Sequence, residues 1–169
     1  GGLHRFFYHG SMFRYERPQK GRLRQFHQFG VESFGIDSVY EDANMIMMVA
    51  DILKKCGIGY RLQINSLGDN NCMPQYRESL VKFVTACKDE VCEDCIRRLD
   101  TNPIRVLDCK NEKCQTLYVN APKLINNLCE ACESDFTKLK NILNMNEIQY
   151  EIDTNLVRGL DYYSKTAFE

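Results

Sequence analysis

The sequence has no long hydrophobic run and almost no net charge. No apolar stretch approaches the ~20 residues that span a bilayer, so no segment reads as a membrane-spanning helix. The formal net charge of −1 excludes a uniformly basic nucleic-acid binder, although not a local basic patch. There is no signal-peptide layout, no internal repeat and no low-complexity segment. What remains is ordinary globular material. Hydrophobic residues make up 44% and charged residues 27% of 169 residues, enough for one compact domain or one domain with an insertion.

Cysteine is the exception. Nine cysteines are many for this length, and the number is odd. Without an export signal they read as free thiols in a reducing cytoplasm, with room for a metal site.

Along the chain, Arg5 to Tyr15 reads as a strand, Glu16 to Arg24 as a basic loop, and Gln25 to Phe34 as a second strand. Together they predict an antiparallel hairpin. Ala43, Ile46, Met47, Ala50 and Leu53 give helical spacing within Glu41 to Cys56. Tyr60 to Leu67 alternates as a strand. Helices are predicted over Pro74 to Cys87, Val91 to Leu99, Ala121 to Leu128 and Glu130 to Asn144, with Pro103 to Asp108 extended. Strand character returns at Ile148 to Asp153 and Asn155 to Tyr163. A sheet is thus interrupted by a helical, cysteine-rich block.

The hairpin loop concentrates Arg14, Arg17, Lys20, Arg22 and Arg24. Such crowded cations suit a bound phosphate, because the guanidinium fork matches its oxygens. A solvated basic turn is the plainer alternative. On the second strand, Gln28, Gly30 and Glu32 share a face, with Gln28 and Glu32 ~13 Å apart. Gly30 has no side chain, which leaves room for a ligand against the sheet. An amide and a carboxylate framing a gap suit an ammonium group; an exposed edge-strand face carries the same pattern.

The string FRYERPQKGRLRQFHQFGVE, Phe13 to Glu32, resembles motif 2 of class II aminoacyl-tRNA synthetases in the form found in histidine–tRNA ligases. LVRGLDYY, Leu156 to Tyr163, resembles the histidine-specific motif of the same family. Read bare, that second string says little, since a tyrosine pair near a strand is more often packing than a site. Adjacent strand residues also face opposite sides, so one tyrosine at most is expected to face a given pocket.

The resemblance implies an α+β fold: a class II synthetase-type antiparallel β-sheet core flanked by helices, with a mostly helical insertion. Residues 1–70 and 148–169 would form two parts of the catalytic core, and 71–147 the insertion. It also implies roles. Arg14 would grip the α-phosphate of ATP, Glu16 would lie near the adenine and Arg22 would meet the outer phosphates. Gln28 and Glu32 would bind histidine, with Glu32 on its α-ammonium group. Arg158 would be catalytic, set against the reacting carboxylate and α-phosphate. Tyr162 and Tyr163 would help form the imidazole pocket, Tyr163 foremost. The chemistry would be formation of histidyl-adenylate from histidine and ATP with Mg²⁺, followed by transfer to the 3′ end of tRNA(His). The parent protein would be a cytoplasmic homodimer. The insertion would contact the tRNA acceptor arm, with Arg97, Arg98, Arg105, Lys110 and Lys113 available to phosphates. Motifs 1 and 3 and an anticodon-binding domain would lie outside this stretch. The chain by itself is therefore expected to be inactive.

Cys92 and Cys95, and Cys129 and Cys132, form C-x2-C pairs, while Cys109 and Cys114 have four residues between them. Two such pairs match a tetrahedral structural zinc. Cys92, Cys95, Cys109 and Cys114 are the first choice of ligands. The same spacing on a helix also suits simple packing, and Cys56, Cys72 and Cys87 read that way. Two rival readings stand beside the ligase: a non-catalytic, histidyl-tRNA synthetase-like regulatory subunit of histidine biosynthesis, and a zinc-dependent RNA-binding module centred on Cys92 to Cys132. The second leaves both flanking motifs unexplained.

Overall fold

The computed structural model describes residues 2–156 and 162–169. Two ten-residue strands, β1 (His4–Phe13) and β2 (Gln25–Phe34), pair in antiparallel register from His4 opposite Phe34 to Phe13 opposite Gln25. Helix α1 (Val39–Lys55) follows, then strand β3 (Gln63–Ser66), α2 (Met73–Ala86), α3 (Glu93–Thr101), α4 (Glu112–Tyr118), α5 (Glu130–Met145) and two short strands, β4 (Glu151–Ile152) and β5 (Thr166–Phe168). β3 lies between β4, which runs parallel to it, and β5, which runs antiparallel. The α+β arrangement holds. Among the described residues, β1–β2 and β3–β5 are its antiparallel pairings.

α1 starts where its sequence provides a start. The Ser38 side chain accepts from the Tyr40 amide at 3.3 Å, Glu41 and Asp42 sit in the first turn, and Lys54 and Lys55 in the last. Its buried Val39, Ala43 and Ile46 pack with Leu62 and Ile64 around β3 and with Phe136, Leu139 and Leu143 of α5. A second apolar cluster forms around Tyr76, Leu80 and Val84 of α2, with Cys95, Val106, Cys114, Tyr118, Leu124 and Cys132. α5 belongs to both clusters. Cys132, Phe136, Leu139 and Leu143 recur at helical spacing along one stripe.

Several predicted elements change. The strand expected over Tyr60 to Leu67 narrows to Gln63–Ser66, because its partners are only two and three residues long. Pro103–Asp108, expected to be extended, is a 3-10 turn. Pro103 fits the first helical turn, Val106 is buried, and Arg98 Nη1 donates to the Arg105 carbonyl at 2.8 Å. The helix expected over Ala121 to Leu128 reduces to one 3-10 turn, Leu124–Asn126, after Pro122. α4 was not predicted; the Asn111 side chain caps it by accepting from the Cys114 amide at 3.3 Å. Of the strand expected over Asn155 to Tyr163, residues 157–161 lie outside the described residues, and Asn155, Leu156, Tyr162 and Tyr163 belong to no strand.

The hairpin is tied to the rest through one buried carboxylate. Glu41 is 8% exposed. It accepts from Arg5 Nε at 2.7 Å, from Arg5 Nη2 at 2.6 Å and from Ser33 Oγ at 2.7 Å. Arg5 and Ser33 face each other across the hairpin, so both strands are fixed by one acid. At the other side, Lys165 Nζ reaches Asp37 at 3.0 Å and Asp135 at 3.5 Å, which joins the β5 approach to the α1 entry and to α5. The Asp37 carboxylate foremost holds the Lys165 ammonium above its ordinary value.

Hydrogen bonds from Arg5, then from Ser33, hold the Glu41 carboxyl at about 2, against an ordinary 4.5. Its stabilising contribution is therefore complete above pH 4.5 and lost as the pH falls through about 2. We predict that Glu41→Gln lowers unfolding stability at pH 7 by on the order of 1–2 kcal/mol, after allowance for the exposed Arg5 partner. Urea denaturation should show that deficit shrinking between pH 4.5 and 2. A deficit independent of pH would contradict this account.

Candidate functional site

The basic loop closes in a tight turn. Gln19 and Arg22 exchange backbone hydrogen bonds, with N–O distances of 3.2 and 2.9 Å. Gly21 takes φ +78°, a conformation that favours glycine. Within the loop, Arg22 and Glu16 form a two-pronged ion pair, with Arg22 Nη2 donating at 2.9 Å. Hydrogen bonding to Arg22 foremost lowers the Glu16 carboxyl and raises the Arg22 guanidinium. Arg14 donates from Nε to the Leu23 carbonyl at 2.8 Å and lies over the Phe26 ring at 4.5 Å. Arg24 donates to the Glu16 carbonyl at 2.8 Å. These contacts fix the directions of Arg14 and Arg22.

Gln28 and Glu32 are both exposed on β2. The room expected over Gly30 is taken up in this structure. Tyr8 is its cross-strand partner, and its ring lies where a Cβ at position 30 would stand. Gln28 Nε2 donates to the Tyr8 hydroxyl at 3.1 Å. Tyr8 escaped the sequence reading because only the hairpin register brings it opposite Gly30.

Arg158 lies outside the described residues. Tyr162 and Tyr163 do not face opposite ways, as strand neighbours would. They sit in a turn with rings stacked, centroids 4.8 Å apart. Both line a cavity of about 690 Å³ with Asp37, Asp69, Arg77 and Lys165.

The four first-choice cysteines come together. The sulfurs of Cys92, Cys95, Cys109 and Cys114 all lie within 4.8 Å of one another. Cys92 Sγ and Cys109 Sγ are 3.7 Å apart, close to the ~3.8 Å edge of a tetrahedron with 2.3 Å Zn–S bonds. The Cys92 amide donates to Cys114 Sγ at 3.2 Å and the Asn111 amide to Cys109 Sγ at 3.4 Å. The Tyr118 hydroxyl is buried beside Cys95. Burial pushes the Cys95 and Cys114 thiols up. At Cys92 burial acts the same way, but the Cys95 amide and the surrounding thiols outweigh it and the net direction is down.

Cys72, expected as a packing residue, belongs to a second group with Asp69, Cys129 and Cys132, again within 4.8 Å. Sequence spacing gave no sign of it, since Cys72 and Cys129 are 57 positions apart. Cys129 is shifted down, foremost by the Cys132 amide, whereas burial raises Cys72 and Cys132.

A family model described as histidyl-tRNA synthetase matches residues 1–169. A histidine–tRNA ligase of Sulfurimonas denitrificans is 79% identical over 169 residues, covering 100% of this chain and 42% of that protein. The Campylobacter jejuni (strain RM1221) histidine–tRNA ligase is 63% identical over 165 residues, covering 98% of this chain and 40% of that protein. Among solved structures, apo S. aureus histidyl-tRNA synthetase matches with a TM-score of 0.76 at 38% identity, over 98% of this chain and 38% of that one. The chain thus spans about two-fifths of the length of these relatives.

In metal-free protein, burial and the directions of the thiol shifts set an order of reactivity. Exposed Cys56, then half-buried Cys92 and Cys129, should alkylate before buried Cys95 and Cys132. Time-resolved iodoacetamide labelling with peptide mapping reads this directly. Equal rates within each C-x2-C pair would refute the arrangement.

Proposed function

The chain belongs to the histidyl-tRNA synthetase family, and from that premise we propose that its parent protein is a histidine–tRNA ligase. It would activate histidine with ATP and transfer it to tRNA(His). The observation that carries the reading is the motif 2 hairpin, with Arg14 and Arg22 held by bonds to Leu23 and Glu16 beside an exposed Gln28 and Glu32. The relatives compared bear the ligase name, which favours a ligase over a regulatory subunit.

In this reading Arg14 binds the α-phosphate and neutralises charge as the histidine carboxylate approaches it. Glu16 has two tasks: it orients Arg22 toward the outer phosphates, and it lies near the adenine. Gln28 and Glu32 hold the amino acid, with Glu32 accepting from the α-ammonium group. Tyr8 lies across Gly30 as the floor between them. Arg158 supports the developing negative charge, and Tyr162 and Tyr163 contribute to the imidazole pocket. No side-chain nucleophile is required; positioning and charge stabilisation do the work. Mg²⁺ bound with ATP would supply further charge neutralisation there.

Residues 71–147 are proposed as the insertion that meets the tRNA acceptor arm, and 1–70 with 148–169 as the core. A structural Zn²⁺ on Cys92, Cys95, Cys109 and Cys114 would tie α3 to α4 within that block. The convergent sulfurs fit it, and the Tyr118 hydroxyl beside Cys95 could support a thiolate there. The parent protein is read as a cytoplasmic homodimer. No described helix is long and apolar enough to cross a membrane.

ATP–pyrophosphate exchange by the full-length protein, run with each of the twenty amino acids, tests the assignment. Histidine alone should stimulate it; stimulation by another amino acid, or by none, would sink it. Arg14→Ala should lower kcat/KM for exchange by about 10²–10³-fold. Glu32→Gln should act mainly on the KM for histidine, by about 10- to 100-fold, as a charge-assisted hydrogen bond is lost. An unchanged histidine KM would remove Glu32 from the amino-acid site.

A further inference from the structure

We propose that Asp69, Cys72, Cys129 and Cys132 form a second tetrahedral metal site, suited to Zn²⁺, where the helical block leaves and rejoins the sheet. The four residues come from two segments far apart in sequence. Asp69 and Cys72 lie between β3 and α2, and Cys129 and Cys132 open α5. Their ligand atoms lie within 4.8 Å of one another. Asp69 Oδ1 is 3.3 Å from Cys72 Sγ and 3.7 Å from Cys129 Sγ. A tetrahedron built on bonds of 2.3 Å to sulfur and 2.0 Å to oxygen has sulfur–oxygen edges of ~3.5 Å, midway between those distances.

The two cysteine groups are built alike, and the likeness carries the argument furthest. Cys92 is the N-cap of α3 and Cys129 the N-cap of α5. Their backbones are nearly superimposable, at φ −74°, ψ 159° and φ −69°, ψ 160°. In each pair the second cysteine sits at the third helical position. In each, the amide of the capping cysteine donates to a sulfur supplied from elsewhere: Cys92 to Cys114 at 3.2 Å, Cys129 to Cys72 at 3.1 Å. The same local device therefore presents a thiol pair to a third thiol twice. Ordinary packing of cysteine as a small hydrophobe needs no carboxylate, yet Asp69 points its Oδ1 into the second group.

The surroundings suit an anionic ligand set. Cys72 and Cys129 cap helices of 14 and 16 residues, so two helix N-termini face the cluster. The Asp69 carboxylate is held in place by the amides of Asn71 at 2.9 Å and Cys72 at 3.1 Å, both on Oδ1, and by Asn71 Nδ2 at 3.1 Å on Oδ2, and such bonds orient a metal-ligating carboxylate. Gly68 takes φ +62°, and a Cβ there would stand 2.9 Å from Cys72 Cβ, so the close approach needs glycine. The Gly68 carbonyl also accepts from the Lys165 amide at 2.6 Å. A metal here would clamp both ends of the block to each other and to the segment that carries Tyr162 and Tyr163.

Metal analysis of full-length protein, expressed with added zinc and purified without chelator, tests this. Two zinc ions per chain are expected. Cys95→Ser and Cys132→Ser should each retain one, and the double variant none. If Cys132→Ser does not fold, cobalt(II) bound to the Cys95→Ser protein gives a second reading. Its absorption should show thiolate charge-transfer bands, which Cys129→Ser should weaken. Zinc that Cys132→Ser leaves intact, or that Cys95→Ser abolishes, would overturn the proposal. So would an intact mass lower by two hydrogens that maps to a Cys129–Cys132 disulfide. None of these readouts depends on amino-acid activation, so failure here leaves the ligase reading where it stands.

Discussion

One helix has to satisfy two cores. The stripe Cys132, Phe136, Leu139, Leu143 on α5 begins in the cysteine-rich cluster and ends against α1 and β3. A helix is stiff along its axis, so burying one end fixes where the other end can lie. The helical block and the sheet therefore cannot be arranged independently. A large-to-small change at Leu139 or Leu143 costs about 2–5 kcal/mol in a well-packed core. Here it would also loosen the connection between the two parts. Lys165 strengthens the same connection by joining Asp135 of α5 to Asp37 at the α1 entry.

The hairpin depends on a different kind of constraint. Its strands are largely exposed, with Phe7 and Phe13 more than two-thirds open, so apolar burial does little to place it. A single charged cluster replaces that burial. Arg5 and Ser33 converge on Glu41, which α1 holds at its own buried first turn. From that fixed base, strand register does the rest. It sets Tyr8 over Gly30 and leaves Gln28 and Glu32 on one face at a defined separation.

Much of this was readable from the residues because it is local. The β2 boundaries, the α1 face and the α5 stripe follow from periodicity over ten to seventeen neighbours. The turn at Gly21 follows from the loop composition. What was missed is non-local or marginal. β5 is three residues long and pairs only with β3, and the strand expected over Ile148 to Asp153 shrinks to the two residues of β4. Pro103–Asp108 has a composition that suits either an extended piece or a 3-10 turn, and the burial of Val106 decides it. The Cys92 to Cys114 group was legible as two close pairs. The Asp69 group was not, because one of its four members is a carboxylate and its halves lie on segments far apart in sequence. Tyr8 belongs with these, since nothing in its own neighbourhood announces that Gly30 will face it.

The loop from Arg14 to Arg24 holds five cations and one carboxylate, in a chain whose net charge is −1. The compensating acids are thus elsewhere, and the molecule has a strong charge asymmetry that its total conceals. Such an asymmetry acts before contact. Within a Debye length of ~8–10 Å, an approaching polyanion is drawn to the hairpin tip. The encounter is then oriented by the field, and its rate falls as salt shortens that range. The ion pair between Glu16 and Arg22 modulates this field, because it cancels one unit of charge within the loop.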